Sequence, residues 1–557
     1  MAILADKTNS LNNNDGAETP TTTPTPTPAP GGAHYSAGPR RMHGTGLRGQ
    51  NLSRQSNQFE GRFGRMFRTL PAAYHTENEL IALADKMVAP AEDEPTPETE
   101  RDDEENLGIS AGYTYFGQFI DHDLTFDPAS SLQRQNDPDA LTDFRTPRFD
   151  LDNIYGRGPD DQPYLYAEDG VHLLLGRTLT GSSHDGQTRD VPRNTPEEGA
   201  PKRALIGDPR NDENVIVSQL QATLLRFHNS VAKTLARRRG GVLPPFEDVQ
   251  REVRFHYQWT VLHDFLPTII GKDTVQLLLP ELKHDGKREA VTQFNPHLRF
   301  FKPKQQAYIP VEFSVAAYRF GHSMVRPIYR LNTTLPGRQM IFAETDSAKL
   351  AESLVGFREF PGNWALDWNL FFDIGEHTPQ GPRRLQRSYK IDTSLVNPLG
   401  HLPEAVTKGQ ASLAARNLLR GLSMSLPSGQ SVARAMGLPV VPDDKLRVGK
   451  ATAAAQAAND NPLLTDISPN FTDNAPLWYY ILAEAQQQAL GTDGKVNDDA
   501  HIHLGPVGGR IIGEVFVGLM WADSHSYLQQ HPGWRPIDEF TKNGRFGIAE
   551  IIKAARH

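Results

Sequence analysis

The chain has 557 residues, a formal net charge of -9 and no cysteine. Lack of cysteine excludes disulfides, thiolate metal ligands and thiol nucleophiles, and mild acidity argues against nucleic acid or an anionic membrane as the main partner. No apolar run approaches the roughly 18 residues of a membrane span; the best stretch, Ile511 to Trp521, is interrupted by Glu514.

Residues 1–40 are low in complexity, with Thr19 to Pro30 built from Thr, Pro and Ala. Such a segment cannot bury enough apolar surface to order itself and reads as a disordered tail or tether. The N-terminus, Met1 to Asp6, has neither a basic region nor an apolar core, so no cleaved signal peptide is expected. Localisation stays open, a leaderless export route included. The folded body is expected over residues 41–557, its core beginning between Met42 and Phe67. Glu92 to Asn106 reads as an acidic loop. Beyond it the spacing is mainly helical, strand-like alternation is scarce and no internal repeat occurs. The fold class is therefore mainly α, with little β and long irregular loops.

The densest polar chemistry lies in Gly117-Gln118-Phe119-Ile120-Asp121-His122-Asp123. On a helix, Gln118 and His122 share a face, Asp121 borders it, and Asp123 is rotated about 100° further, toward a different site. Thr146-Pro147-Arg148-Phe149-Asp150-Leu151-Asp152 follows, with alternating oxygen donors suited to a hard cation or simply to a polar loop. Gly207 to Asn214 contains Arg210 and Glu213 at the start of a helix expected over 215–239, either an anion-holding site or a capping segment. That helix ends at Gly240-Gly241, and a second one continues from Val249 to Pro267.

Further on, Arg319, Phe320, Gly321 and His322 lie within the apolar segment Phe313 to Arg326. His322 can be a core histidine or an axial iron ligand, which needs an acceptor for its other ring nitrogen. Asn417, on a helix expected over 411–422, is a candidate acceptor. Helices are also expected over 477–489 and 507–528. His501-Ile502-His503 after Asp498-Asp499 leaves a separate metal centre open, as in a hydrolase or oxygenase. His228, His256 and His263 sit in periodic helices and read as structural.

In order and content these clusters resemble the animal-type haem peroxidases of the peroxidase–cyclooxygenase superfamily, as a disulfide-free, bacterial-style member. The resemblance runs from about Tyr113 to Met436. It implies a helical fold around haem b. His122 would be the distal acid–base, Gln118 the distal amide, Arg210 the distal arginine, His322 the iron ligand and Asn417 its partner. Arg319 and Arg420 would pair with haem propionates, and Asp121 and Glu213 would form ester links to the haem. Asp123, Thr146, Arg148 through its carbonyl, Asp150 and Asp152 would bind calcium. Two positions depart from the family's pattern: Asn214 stands where myeloperoxidase has a vinyl-linked methionine, and Asp152 replaces a serine. Arg319 stands where cyclooxygenase-like members carry a radical tyrosine, Tyr318 being one residue away. The resemblance thus implies a peroxidase using hydrogen peroxide and a halide, thiocyanate or small phenol; a monomer is expected. A fatty-acid dioxygenase and a non-catalytic matrix or adhesion protein are the alternatives.

Overall fold

Helices dominate, as the three- and four-residue apolar spacing demands. The structure, a computed structural model, describes residues 63–91, 99–125, 146–198, 200, 202–282, 291–303, 307–342, 353–375, 377–403, 407 and 409–557. The tail expected over 1–40 and the start of the acidic loop, 92–98, lie outside them. One continuous hydrophobic cluster runs from Phe63 to Ala555.

Helix α1 (Glu77–Met87) opens on a reciprocal cap: Thr76 Oγ1 accepts from Glu79 N at 3.3 Å, and Thr76 N donates to Glu79 Oε2 at 2.8 Å. Strand β1 (Glu105–Ser110) then pairs antiparallel with β2 (Arg387–Tyr389) through a register shift. The fully buried Glu105 carboxylate accepts from Arg326 Nη1 and Arg384 Nη1, each at 2.9 Å. Two guanidiniums around one carboxylate compensate its desolvation and anchor the strand that leads into α2 (Gly112–Leu124).

Helix α2 begins where a side chain would not fit. A Cβ on Gly112 would come within 2.4 Å of the Phe372 ring and 2.6 Å of Phe371 O. Tyr115, Phe116, Phe119 and Ile120 form its buried stripe. Burying Phe116 and Phe119 contributes roughly 2–3 kcal/mol each. The stripe meets Tyr257, whose ring lies 6.5 Å from Phe116 and 6.2 Å from Phe119, edge to face. This packing fixes the rotation of α2 and so turns Gln118 and His122 the other way.

Helix α3 (Val215–Arg238) is capped by Asn214, whose Oδ1 accepts from Ile216 N at 2.8 Å. It packs on α2 and on α4 (Phe246–Thr260). The second helix does not stop at Pro267. A π turn, Val261–Phe265, is followed by α5 (Leu266–Ile270), with Pro267 in its first turn and Gly271 at φ +80° ending it. The π turn shifts the hydrogen-bond register, so proline enters where no backbone donor is required.

The segment carrying His322 is not α-helical. Glu312–Ala316 is a π turn and Ala317–His322 a 3-10 turn. Glu312 is fully buried and its carboxylate accepts from Met66 N at 3.0 Å and Phe67 N at 3.1 Å, clamping the segment to the N-terminal end of the described chain. Helices α6 (Leu413–Ser423), α7 (Leu477–Gln486) and α8 (Pro506–Ala522) close around it. The helix expected over 507–528 breaks at Asp523, whose carboxylate accepts from His525 N at 3.1 Å before a separate turn, Tyr527–Gln530. Short helix α9 (Ile548–Ala554) packs on α3. Among the described residues, strands form only two-stranded sheets, and no helix is long and apolar enough to cross a membrane.

Candidate active site

Helix α2 brings the predicted polar residues together with the turn that precedes α3. Glu213 Oε1 accepts from Gln118 Nε2 at 2.5 Å and lies 3.5 Å from His122 Nε2. Burial raises the Glu213 carboxyl, but the hydrogen bond and charge of His122, with Arg210 beside them, hold it below its ordinary value. Arg210 Nη2 donates to His122 O at 3.0 Å and to Asp208 Oδ2 at 2.8 Å. Asp208 is fully buried and also caps the turn Pro209–Asp212 by accepting from Arg210 N at 2.8 Å. The capping reading of this segment is therefore present at Asp208, which also pairs with the Arg210 guanidinium.

Three neighbours escaped the sequence reading. Asp208 holds Arg210. Asn211 Oδ1 lies 2.7 Å from His122 Nδ1, and Asn211 Nδ2 donates to Gln221 Oε1 at 2.9 Å. The signal for Asn211 was its position beside Arg210; nothing linear connects it to His122, 89 residues away.

The second histidine site forms where the 3-10 turn meets α6. Asn417 Nδ2 lies 2.7 Å from His322 Nδ1, and Asn417 Oδ1 accepts from Arg319 Nη1 at 2.8 Å. The expected partner is thus in contact, but its amide presents nitrogen rather than oxygen to the ring, because Arg319 takes the oxygen. Burial pushes His322 down to about 3, with the Arg319 charge acting in the same direction, so the ring is neutral at ordinary pH. Burial also pushes Arg319 down to about 10; Asp121 opposes this, while Arg420 and Arg416 add to it. A Cβ on Gly321 would meet no atom within 4 Å, leaving open space beside His322. A neutral imidazole, open space and gathered guanidiniums fit a flat metal macrocycle with anionic substituents.

The two histidine segments are neighbours. Tyr318 Oη donates to Gly117 O at 3.2 Å, and burial together with the Asp121 charge raises the Tyr318 phenol well above its ordinary value. Asp121 therefore faces the Arg319 segment, with Oδ1 accepting from Thr125 Oγ1 at 3.2 Å.

Asp123 points the other way, as its rotation predicted. Carboxylate oxygens of Asp123, Asp150 and Asp152 lie within 4.8 Å of one another. Thr146 Oγ1 donates to Asp150 Oδ2 at 2.6 Å. Leu151 adopts φ +59°, an uncommon conformation for a branched residue, and the turn sets Asp150 and Asp152 toward Asp123. The Arg148 side chain leaves the group for Asp523, 3.4 Å away, so only its carbonyl is available to it. Three carboxylates at this spacing fit a hard divalent cation. The other acidic group, Asp102, Asp103 and Glu104, already receives donors from Tyr389, Lys450 and the chain itself.

The separate metal centre at His501 and His503 does not form. His503 Nδ1 lies 2.9 Å from Leu504 O, Asp498 accepts from Lys390 and Asp499 from Arg101, and among the described residues no third ligand joins them. His228 bridges Tyr155 Oη at 3.0 Å and Val171 O at 2.8 Å, and His256 Nε2 accepts from Ile537 N at 2.9 Å. Both are structural, as expected. His263 stacks on Trp259 at 3.7 Å.

The family model described as animal haem peroxidase matches residues 130–443. The chain belongs to the animal haem peroxidase family. The matched span contains Arg210, His322, Asn417 and the Thr146–Asp152 loop, while α2 precedes it. Mouse thyroid peroxidase is 24% identical over 382 residues, 65% of this chain and 37% of that protein. Peroxidasin of Drosophila melanogaster is 23% identical over 394 residues, 68% of this chain and 22% of that protein. The chain thus spans well under half the length of these relatives. Among solved structures, peroxidase A from Dictyostelium discoideum superimposes with a TM-score of 0.55 at 16% identity, covering 93% of this chain and 98% of that one. This animal haem peroxidase thus has the mainly helical fold that its sequence predicts. Membership implies haem and, in general, oxidoreductase chemistry.

Proposed function

We propose that this chain is a monomeric haem peroxidase that reduces hydrogen peroxide and oxidises a small donor: a halide, thiocyanate or a phenol. The observation that carries the proposal is the pairing of His122, open to Glu213 and Gln118 on its Nε2 side, with a second buried and neutral histidine, His322, on an adjacent segment. Haem, when bound, supplies the redox-active iron at which the peroxide O–O bond is cleaved. His322 would hold that iron. Asn417 would hold His322, and Arg319 and Arg420 would pair with the propionates.

His122 takes a proton at Nε2 from the near peroxide oxygen and returns it to the far one. Gln118 orients the small molecules beside it, and Arg210 supplies positive charge where negative charge develops. Asp121 and Glu213 are the carboxylates for ester attachment. Calcium at Asp123, Asp150 and Asp152, with Thr146 and the Arg148 carbonyl, would brace the helix that carries His122. Tyr318 donates to Gly117 O and Arg319 occupies the position three before His322, which disfavours the dioxygenase alternative.

The test is turnover by haem-loaded protein with peroxide and a small phenol. His122→Ala is expected to keep the Soret band while losing most of the spectral change that peroxide induces. A variant that reacts at the parental rate overturns the role of His122. Absence of a Soret band in the loaded parent overturns the proposal as a whole.

A further inference from the structure

We infer that Asn211 and Gln221 lock the tautomer of His122, so that every proton it exchanges passes through Nε2, the nitrogen facing Glu213 and Gln118. The inference rests on the peroxidase reading for its purpose, and on hydrogen-bond chemistry for its geometry.

One hydrogen-bonding group in this network has no choice of role. The Asn153 backbone carbonyl can only accept, and it takes Asp208 N at 3.0 Å and Gln221 Nε2 at 3.5 Å. Gln221 therefore turns its Oε1 away, and that oxygen accepts from Asn211 Nδ2 at 2.9 Å. The Asn211 amide is oriented in turn: its oxygen, 2.7 Å from His122 Nδ1, is the only atom it has left for the ring. A carbonyl oxygen accepts, so Nδ1 carries the hydrogen. Asn153, Asn211 and Gln221 are all buried to 1% exposure or less, so water does not compete for these groups. With Nδ1 committed, a neutral His122 has its lone pair on Nε2, and a charged one releases its proton from there.

The same chain of contacts ties the acid–base to the neighbouring loop. Asn153 follows Asp152 directly, and its Nδ2 donates to Phe119 O of α2 at 3.2 Å. The loop that carries two of the three clustered carboxylates therefore sets both the position of α2 and the orientation of the His122 ring. Asn211 and Gln221 are positioning residues: they act on the reaction through His122.

The test compares the haem-loaded parent with Asn211→Leu and Gln221→Leu. In reduced, carbon-monoxide-bound protein labelled with nitrogen-15 in histidine, and at a pH where the ring is neutral, the His122 signals, assigned by their loss in His122→Ala, should show hydrogen on Nδ1 alone. In Asn211→Leu they should show hydrogen shifted to Nε2, and in Gln221→Leu a mixture of both forms. Carbon monoxide binding needs no proton transfer and should stay within about twofold of the parent. The peroxide reaction of Asn211→Leu should fall at least about tenfold, since a wrong-tautomer histidine in a catalytic triad costs up to ~10⁴.

A parent whose neutral His122 ring carries its hydrogen on Nε2, or an Asn211→Leu variant that keeps the parental peroxide rate, overturns the inference. Should Asn211→Leu fail to fold, the tautomer read in the parent decides it. A parent that does not react with peroxide removes the peroxidase reading while leaving the tautomer measurement intact, so the two failures are distinguishable.

Discussion

The carboxylate group at Asp123, Asp150 and Asp152 gives a prediction whose sign reverses with conditions. Its oxygens lie within 4.8 Å of one another. Two unit charges at that distance repel by about 3.5 kcal/mol at an effective dielectric of about 20, so three ionised carboxylates repel by about 10 kcal/mol in total. A bound divalent cation turns this repulsion into attraction, and at a hundredfold excess over its dissociation constant it stabilises the fold by about 2.7 kcal/mol. Asp123→Asn removes two of the three repulsive pairs, about 7 kcal/mol before relaxation and solvent reduce it. If a third of this survives, the calcium-free variant gains about 2 kcal/mol over the calcium-free parent. With calcium present the order inverts, because the variant has lost a charged ligand. The assay is thermal and urea unfolding of both proteins, each prepared with a chelator or with excess calcium, with bound metal quantified. A parent indifferent to the chelator, or a variant less stable than the parent under both conditions, would refute the reasoning.

The remaining predictions concern attachment, the core and acid response. Asp121→Asn combined with Glu213→Gln should release haem on acid–organic extraction, while the parent retains it; equal release from both proteins removes the ester assignment. Glu105→Ala leaves two buried guanidiniums without their carboxylate and should cost roughly 3–5 kcal/mol in urea unfolding; a change under about 1 kcal/mol would show the pair to be solvent-relaxed. Burial pushes His228 down to about 4 from 6.5. Between those values the unfolded chain takes up a proton that the folded chain refuses, so this residue's contribution is intact above about pH 6.5 and lost as pH falls toward 4. The stability gap between the parent and His228→Gln should therefore narrow by roughly 3 kcal/mol from pH 7.5 to 4, and a constant gap contradicts the burial account.

Much of the site is local enough to read along the chain. Gln118, Asp121, His122 and Asp123 sit within two turns of one helix, so helical rotation alone separates the groups facing Glu213 from the one facing Asp150 and Asp152. The same applies to Arg210 with Glu213, and to Arg319 with His322. Element type was also legible wherever a long apolar stripe persisted, as in α3, α6 and α7. Ends and breaks were less so. The π turn at Val261–Phe265 carries α4 past Pro267, and the buried carboxylate of Glu312 draws the His322 segment into π and 3-10 geometry. The Glu312 clamp depends on backbone donors some 245 residues away.

The sequence by itself determined the chemical inventory: no thiols, histidines inside two dense polar segments at 117–123 and 319–322, and carboxylates and arginines at helical spacing. These are properties of residue type and of periods shorter than two turns, which the backbone sets without outside help. Only the tertiary structure decided the partners. It placed Asn211 against His122, Glu213 against Gln118, Arg319 against the Asn417 amide and Asp123 against a loop 27 residues on. The reason is physical: a buried polar group must find its complement wherever packing brings one, and packing is fixed by the apolar faces of the whole chain, not by the spacing around any one residue.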